Sequence, residues 1–169
     1  MSAADIVAIL RALATVPIAW AILSGLRDVA LGIFLVAALT DAVDGWLARR
    51  TGSLGPRGEF LDPIADKVLV VGTLLALTVA GTGWPVTAVT ILVALREGLV
   101  TILRARALSS GIALPADVIA KAKTVIEMVG VALIIVDGRP WAVLGAGLIG
   151  IAFLIGLATL PRYFTPRLA

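Results

Sequence analysis

Apolar stretches long enough to cross a bilayer follow one another along nearly the whole of this chain. They are interrupted only by short turn-forming segments: Gly25 to Asp28, Gly52 to Gly58, Gly81 to Pro85, Ser109 to Pro115 and Asp137 to Pro140. A hydrocarbon core takes about 20 residues of helix, and every backbone N–H and C=O inside it must be paired within the segment. The interruptions therefore predict six helices, near Ala4 to Ser24, Asp28 to Arg50, Phe60 to Ala80, Trp84 to Leu108, Ala116 to Val136 and Trp141 to Leu160, and no strand is needed. The expected architecture is an all-α integral membrane protein with six transmembrane helices and a single domain over residues 1–169. A charged fraction of 15%, against about 25% in soluble domains, agrees with this. Asp5 and Arg11 interrupt the first apolar stretch and no Ala-x-Ala site follows, so that stretch is expected to be a retained helix and not a cleaved signal.

The basic residues orient the helices. With the N-terminus in the cytoplasm, the inner ends and loops hold 12 of the 14 basic residues, and the outer loops hold only Arg27 and Arg139. This is the bias that orients membrane helices, and it places both termini on the cytoplasmic side, as expected for a bacterial inner membrane. Arg162, Arg167 and Arg106 suit contact with anionic lipid headgroups. The net charge of +3 is too dispersed through apolar sequence to form a nucleic-acid-binding stripe. The absence of Cys and His removes zinc sites, thiol nucleophiles and histidine-based catalysis. Chemistry must run on carboxylates, Lys, Arg and hydroxyls.

Four of the eight Asp residues fall between positions 41 and 66, at the ends of the second and third predicted helices that face each other across one short loop. Asp41 and Asp44 are spaced i, i+3 and Asp62 and Asp66 i, i+4, so each pair projects from one side of its helix. Antiparallel neighbours joined by that loop would bring four carboxylates together. Such a cluster at a membrane boundary repels itself unless a cation neutralises it. All-oxygen ligation points to Mg²⁺, Mn²⁺ or Ca²⁺, and four carboxylates suit two ions acting as a clamp on a phosphoryl group. The plainer alternative is that these acids cap helices or pair with Arg49, Arg50, Arg57 and Lys67. Gly45 and Ala48 extend the first acidic stripe and Gly58 precedes Asp62 by one turn, leaving room for a ligand or for close helix packing.

Written as Asp41-x2-Asp44-Gly45-x2-Ala48-Arg49-x8-Gly58-x3-Asp62-x3-Asp66, the segment resembles the signature of the CDP-alcohol phosphotransferases, also called CDP-alcohol phosphatidyltransferases, at all eight fixed positions over 26 residues. The resemblance implies a six-helix membrane enzyme, usually a homodimer, that transfers a phosphate-linked group from a CDP-activated donor to an alcohol and releases CMP with the help of a divalent metal. It implies that Asp41, Asp44, Asp62 and Asp66 hold two ions, Mg²⁺ or Mn²⁺, with Ca²⁺ as a non-productive occupant. It further implies that Asp66 is the catalytic base on the acceptor hydroxyl, and that Asp44, Gly45, Ala48, Arg49 and Gly58 line the CDP pocket. Arg49 can hold phosphate oxygens in a bidentate fork, whereas Arg50, outside the signature, reads as an interfacial anchor.

The run from Phe60 to Lys67 is similar to the branches of the family that form phosphatidylglycerophosphate or cardiolipin. Arg96-Glu97, Arg104, Gly111 and Lys121-Ala122-Lys123-Thr124 resemble the branch acting on glycerol 3-phosphate. Arg96, Arg104, Lys121 and Lys123 are accordingly expected to bind the acceptor's phosphate. The plainer alternative pairs Arg96 with Glu97 or Glu127 and leaves the others to headgroups. Where that branch has Asn, Thr and Arg near its N-terminus, this chain has Asp5, Ala8 and Arg11. The expected substrates are CDP-diacylglycerol, entering from the inner leaflet among membrane lipids, and glycerol 3-phosphate. Phosphatidylglycerol is the alternative acceptor, as in a cardiolipin synthase. An ion-coupled transporter, the competing class, requires its acids near the membrane midplane, and a purely structural membrane protein would tolerate Asp→Asn changes. Gly145, Gly147, Gly150 and Gly156 offer small surfaces for packing within or between copies.

Overall fold

The structure, a computed structural model, describes residues 3–51, 58–109 and 118–159. For residues 3–5, 41–51, 58–63, 104, 107–109, 118–121 and 159 it gives the helical placement only. The described residues form six helices and no strand: α1 (Ala3–Leu23), α2 (Arg27–Thr51), α3 (Gly58–Val79), α4 (Trp84–Ser109), α5 (Val118–Ile135) and α6 (Arg139–Thr159). Pro85 and Pro140 sit in the first turns of α4 and α6, where a missing N–H costs nothing. α1 ends in a Schellman motif at Gly25, whose φ of 76° lets Leu26 N donate to Ala21 O at 2.8 Å. α3 ends the same way at Gly81, φ 75°, with Thr82 N on Leu77 O at 3.3 Å.

The bundle is divided along its length. One half is an apolar core drawn from the end of α1 (Ile18, Ile22), the start of α2 (Phe34), the end of α3 (Leu74, Leu77), the first half of α4 (Val86, Val93), the end of α5 (Ile134, Ile135) and the start of α6 (Ala142). That alternation is what an up-and-down chain produces. The buried charges occupy the other half: Arg11 of α1, Arg96 and Glu97 of α4, and Lys123 and Glu127 of α5. The acidic end of α2 and the acidic start of α3 belong to this same half.

α1 packs on both α2 and α3, α5 packs on α6, α2 and α3, and α4 packs on α3 and α6. α2 and α3 share the neighbours α1 and α5. The expected direct approach of the facing ends of α2 and α3 falls on residues whose side chains lie outside the described ones. Gly130 and Gly145 let α5 and α6 meet backbone to backbone, and a Cβ on Gly130 would lie 2.6 Å from Ile149 Cγ1.

The outer surface is apolar. Leu13, Val16, Leu39, Leu95 and Leu154 are all exposed, as they are where lipid tails replace water. Helices α1, α4 and α6 are each long and apolar enough to cross a membrane. Trp20, Trp84 and Trp141 are exposed at the apolar-core end of the bundle, where amphipathic rings suit a headgroup boundary.

Candidate active site

Asp66 sits in the third turn of α3, eight residues after the Gly58 that starts that helix, and its side chain turns inward beside α1. Arg11 Nη1 donates to Asp66 Oδ1 at 2.9 Å. The arginine side chain is 1% exposed and the aspartate 21%, so the carboxylate keeps an opening that the guanidinium lacks. Sequence analysis placed Arg11 among the inner-end cations and gave it no partner. The only signal for the contact was that position 11 belongs to the N-terminal pattern of the branch it resembles.

The remaining acids are placed by their helices. Asp41 and Asp44 lie in the last three turns of α2, and Asp62 lies one turn before Asp66 in α3. The side chains of Asp41, Asp44, Gly45, Ala48, Arg49, Gly58 and Asp62 lie outside the described residues, as do those of Arg104 and Lys121. Among the described residues no three His, Cys, Asp or Glu side chains gather as a metal centre. The residues that α2 and α3 place in this half of the bundle include four aspartates and no His or Cys, a residue set whose oxygen donors suit a hard divalent cation.

A second polar cluster spans α3, α4 and α5. Glu97 Oε1 accepts from Arg96 Nη1 and, at 2.8 Å, from Lys123 Nζ. Its Oε2 lies 3.3 Å from Lys67 Nζ. Lys123 also bonds Glu127 Oε1 and Oε2 at 2.8 and 2.9 Å, one turn along α5. Lys67 reaches Thr101 Oγ1 at 2.7 Å, and Thr101 bonds back to the Glu97 carbonyl at 2.7 Å. Arg96 Nη2 donates to the carbonyl of Gly156 at 3.2 Å, which brings in α6. A Cβ at position 156 would stand 2.9 Å from the guanidinium carbon, so glycine is what admits Arg96 there.

Arg96 and Lys123, expected on the acceptor's phosphate, are thus found deep in the bundle and held by carboxylates. The plainer alternative had paired Arg96 with Glu97, as the structure does, but had left Lys123 to headgroups and not to Glu97 and Glu127. The part of Lys67, Thr101 and Gly156 did not show in the sequence. The four buried members, Arg96, Glu97, Lys123 and Glu127, balance two against two, and Lys67 joins them from a position 20% exposed. Arg96 Nε is buried and finds no acceptor among the described residues.

Residues 1–160 match the CDP-alcohol phosphatidyltransferase family. The chain belongs to that family. It is 40% identical over 114 residues, 66% of its length, to a protein of Mycobacterium tuberculosis named probable phosphatidylglycerophosphate synthase. It is also similar to two proteins named CDP-diacylglycerol–glycerol-3-phosphate 3-phosphatidyltransferase. One, from Shigella flexneri, is 34% identical over 79% of this chain and 75% of the relative. The other, from Salmonella choleraesuis, is 33% identical over 88% of this chain and 81% of the relative. The match spans about half, 52%, of the mycobacterial relative's length.

Proposed function

We propose that this membrane protein transfers the phosphatidyl group of CDP-diacylglycerol to glycerol 3-phosphate, giving phosphatidylglycerophosphate and CMP. Family membership carries the donor chemistry. The observation that supports the acceptor is that Arg96 and Lys123, two of the cations expected on its phosphate, are buried near Lys67 in the same half of the bundle as the acids. A phosphate monoester brings about two negative charges to such a site, a phosphodiester lipid about one. The names of the relatives agree with the first.

In this proposal Asp41, Asp44, Asp62 and Asp66 would hold divalent metal, two ions of Mg²⁺ or Mn²⁺. The metal, when bound, neutralises charge on the donor's diphosphate and on leaving CMP. Asp44, Gly45, Ala48, Arg49 and Gly58 receive the CDP moiety, with Arg49 forked onto phosphate oxygens. Asp66, its Oδ1 held by Arg11, takes the proton from the acceptor hydroxyl. The hydroxyl oxygen then bonds to the phosphorus that bears the diacylglycerol, and the bond from that phosphorus to CMP breaks. Arg104 and Lys121 stand nearer the inner end of the bundle than Arg96 and Lys123. They make the acceptor's first phosphate contacts, with Arg96 and Lys123 behind them.

The proposal extends to topology. All six helices span the membrane of a bacterial cell as one domain over residues 1–169, with both termini and the site facing the cytoplasm and a homodimer as the working unit. Release of CMP by purified protein, with CDP-diacylglycerol, Mg²⁺ or Mn²⁺ and a panel of acceptors, is the test. Turnover is expected with glycerol 3-phosphate, not with inositol, serine or phosphatidylglycerol, and should vanish in Asp66→Asn and on chelation of the metal. Turnover with phosphatidylglycerol alone would move the acceptor; no turnover with any alcohol would return the acids to an ion-coupled role.

A further inference from the structure

α1 lies along α3 more than along any other helix, and both run from the polar half of the bundle to the apolar one. Arg11 and Asp66 meet across this interface, with Nη1 2.9 Å from Oδ1. Thr15 lies four residues further along α1 and Gly72 six residues further along α3, a rise of about 6 and 9 Å, and these two meet next. A Cβ on Gly72 would run into the methyl carbon of Thr15, and the three heavy atoms nearest to it all belong to Thr15. Threonine branches at Cβ, which restricts χ1 in a helix, so the methyl does not swing aside freely. The Thr15 hydroxyl is buried and makes no hydrogen bond among the described residues, so it is the methyl against Gly72 that this side chain brings to the interface. A side chain at position 72 therefore pushes α1 away from α3. A shift of about 1 Å takes a 2.9 Å hydrogen bond outside bonding range.

We propose that Gly72 is a positioning residue for Asp66: by letting α1 seat on α3 at Thr15, it puts the Arg11 guanidinium on the carboxylate that takes the acceptor's proton, and α1 keeps that seat through the reaction. This rests on the transfer reaction and on the role of Asp66 proposed above. Gly72 touches no substrate and acts through the helix it admits. A base must stand within hydrogen-bond reach of the proton it takes, and about 1 Å of misplacement costs up to about a hundredfold in rate.

Two simpler roles predict other outcomes. If Gly72 serves packing alone, Gly72→Ala lowers the melting temperature and leaves kcat unchanged. If it only makes room for the donor, Gly72→Ala raises the KM for CDP-diacylglycerol. Positioning predicts that kcat falls about tenfold or more while both KM values stay within about threefold. Adding Thr15→Ala, which removes the colliding methyl and breaks no hydrogen bond, should bring kcat back to within about threefold of wild type.

The experiment is steady-state CMP release by the full chain in lipid nanodiscs, for wild type, Gly72→Ala and Gly72→Ala with Thr15→Ala. Wild-type kcat in Gly72→Ala, or no recovery in the double variant, overturns the proposal. Should Gly72→Ala fail to fold, a crosslink decides. The chain has no cysteine, and the Cβ positions of residues 15 and 72 lie 3.7 Å apart, the spacing a disulfide needs. Thr15→Cys with Gly72→Cys should crosslink on oxidation and, once crosslinked, keep kcat within about threefold of wild type. No crosslink, or a larger loss of kcat in the crosslinked protein, overturns the proposal. A crosslink in a protein whose wild type releases no CMP would sink the transfer reaction and leave the seat of α1 on α3 standing. Neither crosslink nor CMP release would sink both.

Discussion

At the scale of single residues, the contact that most constrains the site is Arg11 against Asp66. A carboxylate in the third turn of a membrane helix has little water to solvate it, and a guanidinium only 1% exposed has less. Each helps to stabilise the other there. Removing one partner takes a charged hydrogen bond from a group poorly placed to regain it from water, which costs more than the pair itself contributes. Arg11→Met is therefore expected to lower unfolding free energy by about 2 kcal/mol, the scale of a hydrogen bond to a charged group. Asp66→Asn should cost a similar amount, and the double variant less than the two together, by about 1–2 kcal/mol of coupling. Denaturant unfolding in mild detergent and metal-free buffer measures all three; additive costs would show that the contact contributes nothing. The four acids were legible in the sequence because their spacing is local and an acid in an apolar chain is conspicuous. The partner of Asp66 was not, because Arg11 lies 55 residues away on another helix and only packing brings it there. The tie of Lys67 to Glu97 was hidden for the same reason: a lysine beside Asp66 reads as a partner of the acids until α4 is placed beside it.

Among the elements, the closest approach is between α5 and α6, where Gly145 meets the backbone of Gly130 and side chain of Ile134. Without a hydrophobic driving force between helices in lipid, their affinity comes from dispersion over a tight fit, and small residues create that fit. Gly130→Ala places a methyl carbon 2.8 Å from the Gly145 carbonyl oxygen, and backbone cannot move aside as a flexible side chain does. The expected loss is about 1–3 kcal/mol, as for overpacking in a dense core. Gly147→Ala and Gly150→Ala meet nothing within 4 Å and should be neutral or slightly stabilising, since alanine loses less backbone freedom on ordering than glycine. Thermal unfolding of the three variants side by side tests the distinction. Equal effects would mean that glycine serves helix flexibility here and not contact. The sequence marked all four glycines of α6 as small surfaces without ranking them, because a glycine facing lipid and one facing a neighbour look alike in one dimension. Helix ends were more legible. Gly25 and Gly81 close α1 and α3 within a residue or two of the expected limits, since a left-handed closing residue is a local demand that glycine meets.

Across the whole molecule, the apolar core and the polar cluster lie at opposite ends of the bundle, so the protein has an inert end and a chemical end. A chain that merely anchored itself would have no reason to bury Arg96, Glu97, Lys123 and Glu127 together within an apolar bundle. The exposed Trp20, Trp84 and Trp141 suit a membrane boundary at the inert end, and the acidic ends of α2 and α3 belong to the other end. In the proposed reaction donor and acceptor both reach the chemical end from one compartment. The proposed orientation, with 12 of 14 Lys and Arg on that side, makes it the cytoplasm, where CDP-linked and phosphorylated small molecules occur. The chain contains no cysteine, so single cysteines introduced at the turns report sidedness without background. In intact cells, Ser24→Cys, Thr82→Cys and Asp137→Cys, in the three turns at the inert end, should react with a membrane-impermeant maleimide. Ser53→Cys and Ser110→Cys, in the segments that join α2 to α3 and α4 to α5, should react only in inverted vesicles. Labelling of both sets from one side would show that fewer than six helices cross. Labelling with the two sets exchanged would keep the six crossings and turn the site away from its substrates, and the proposed reaction would fall with it.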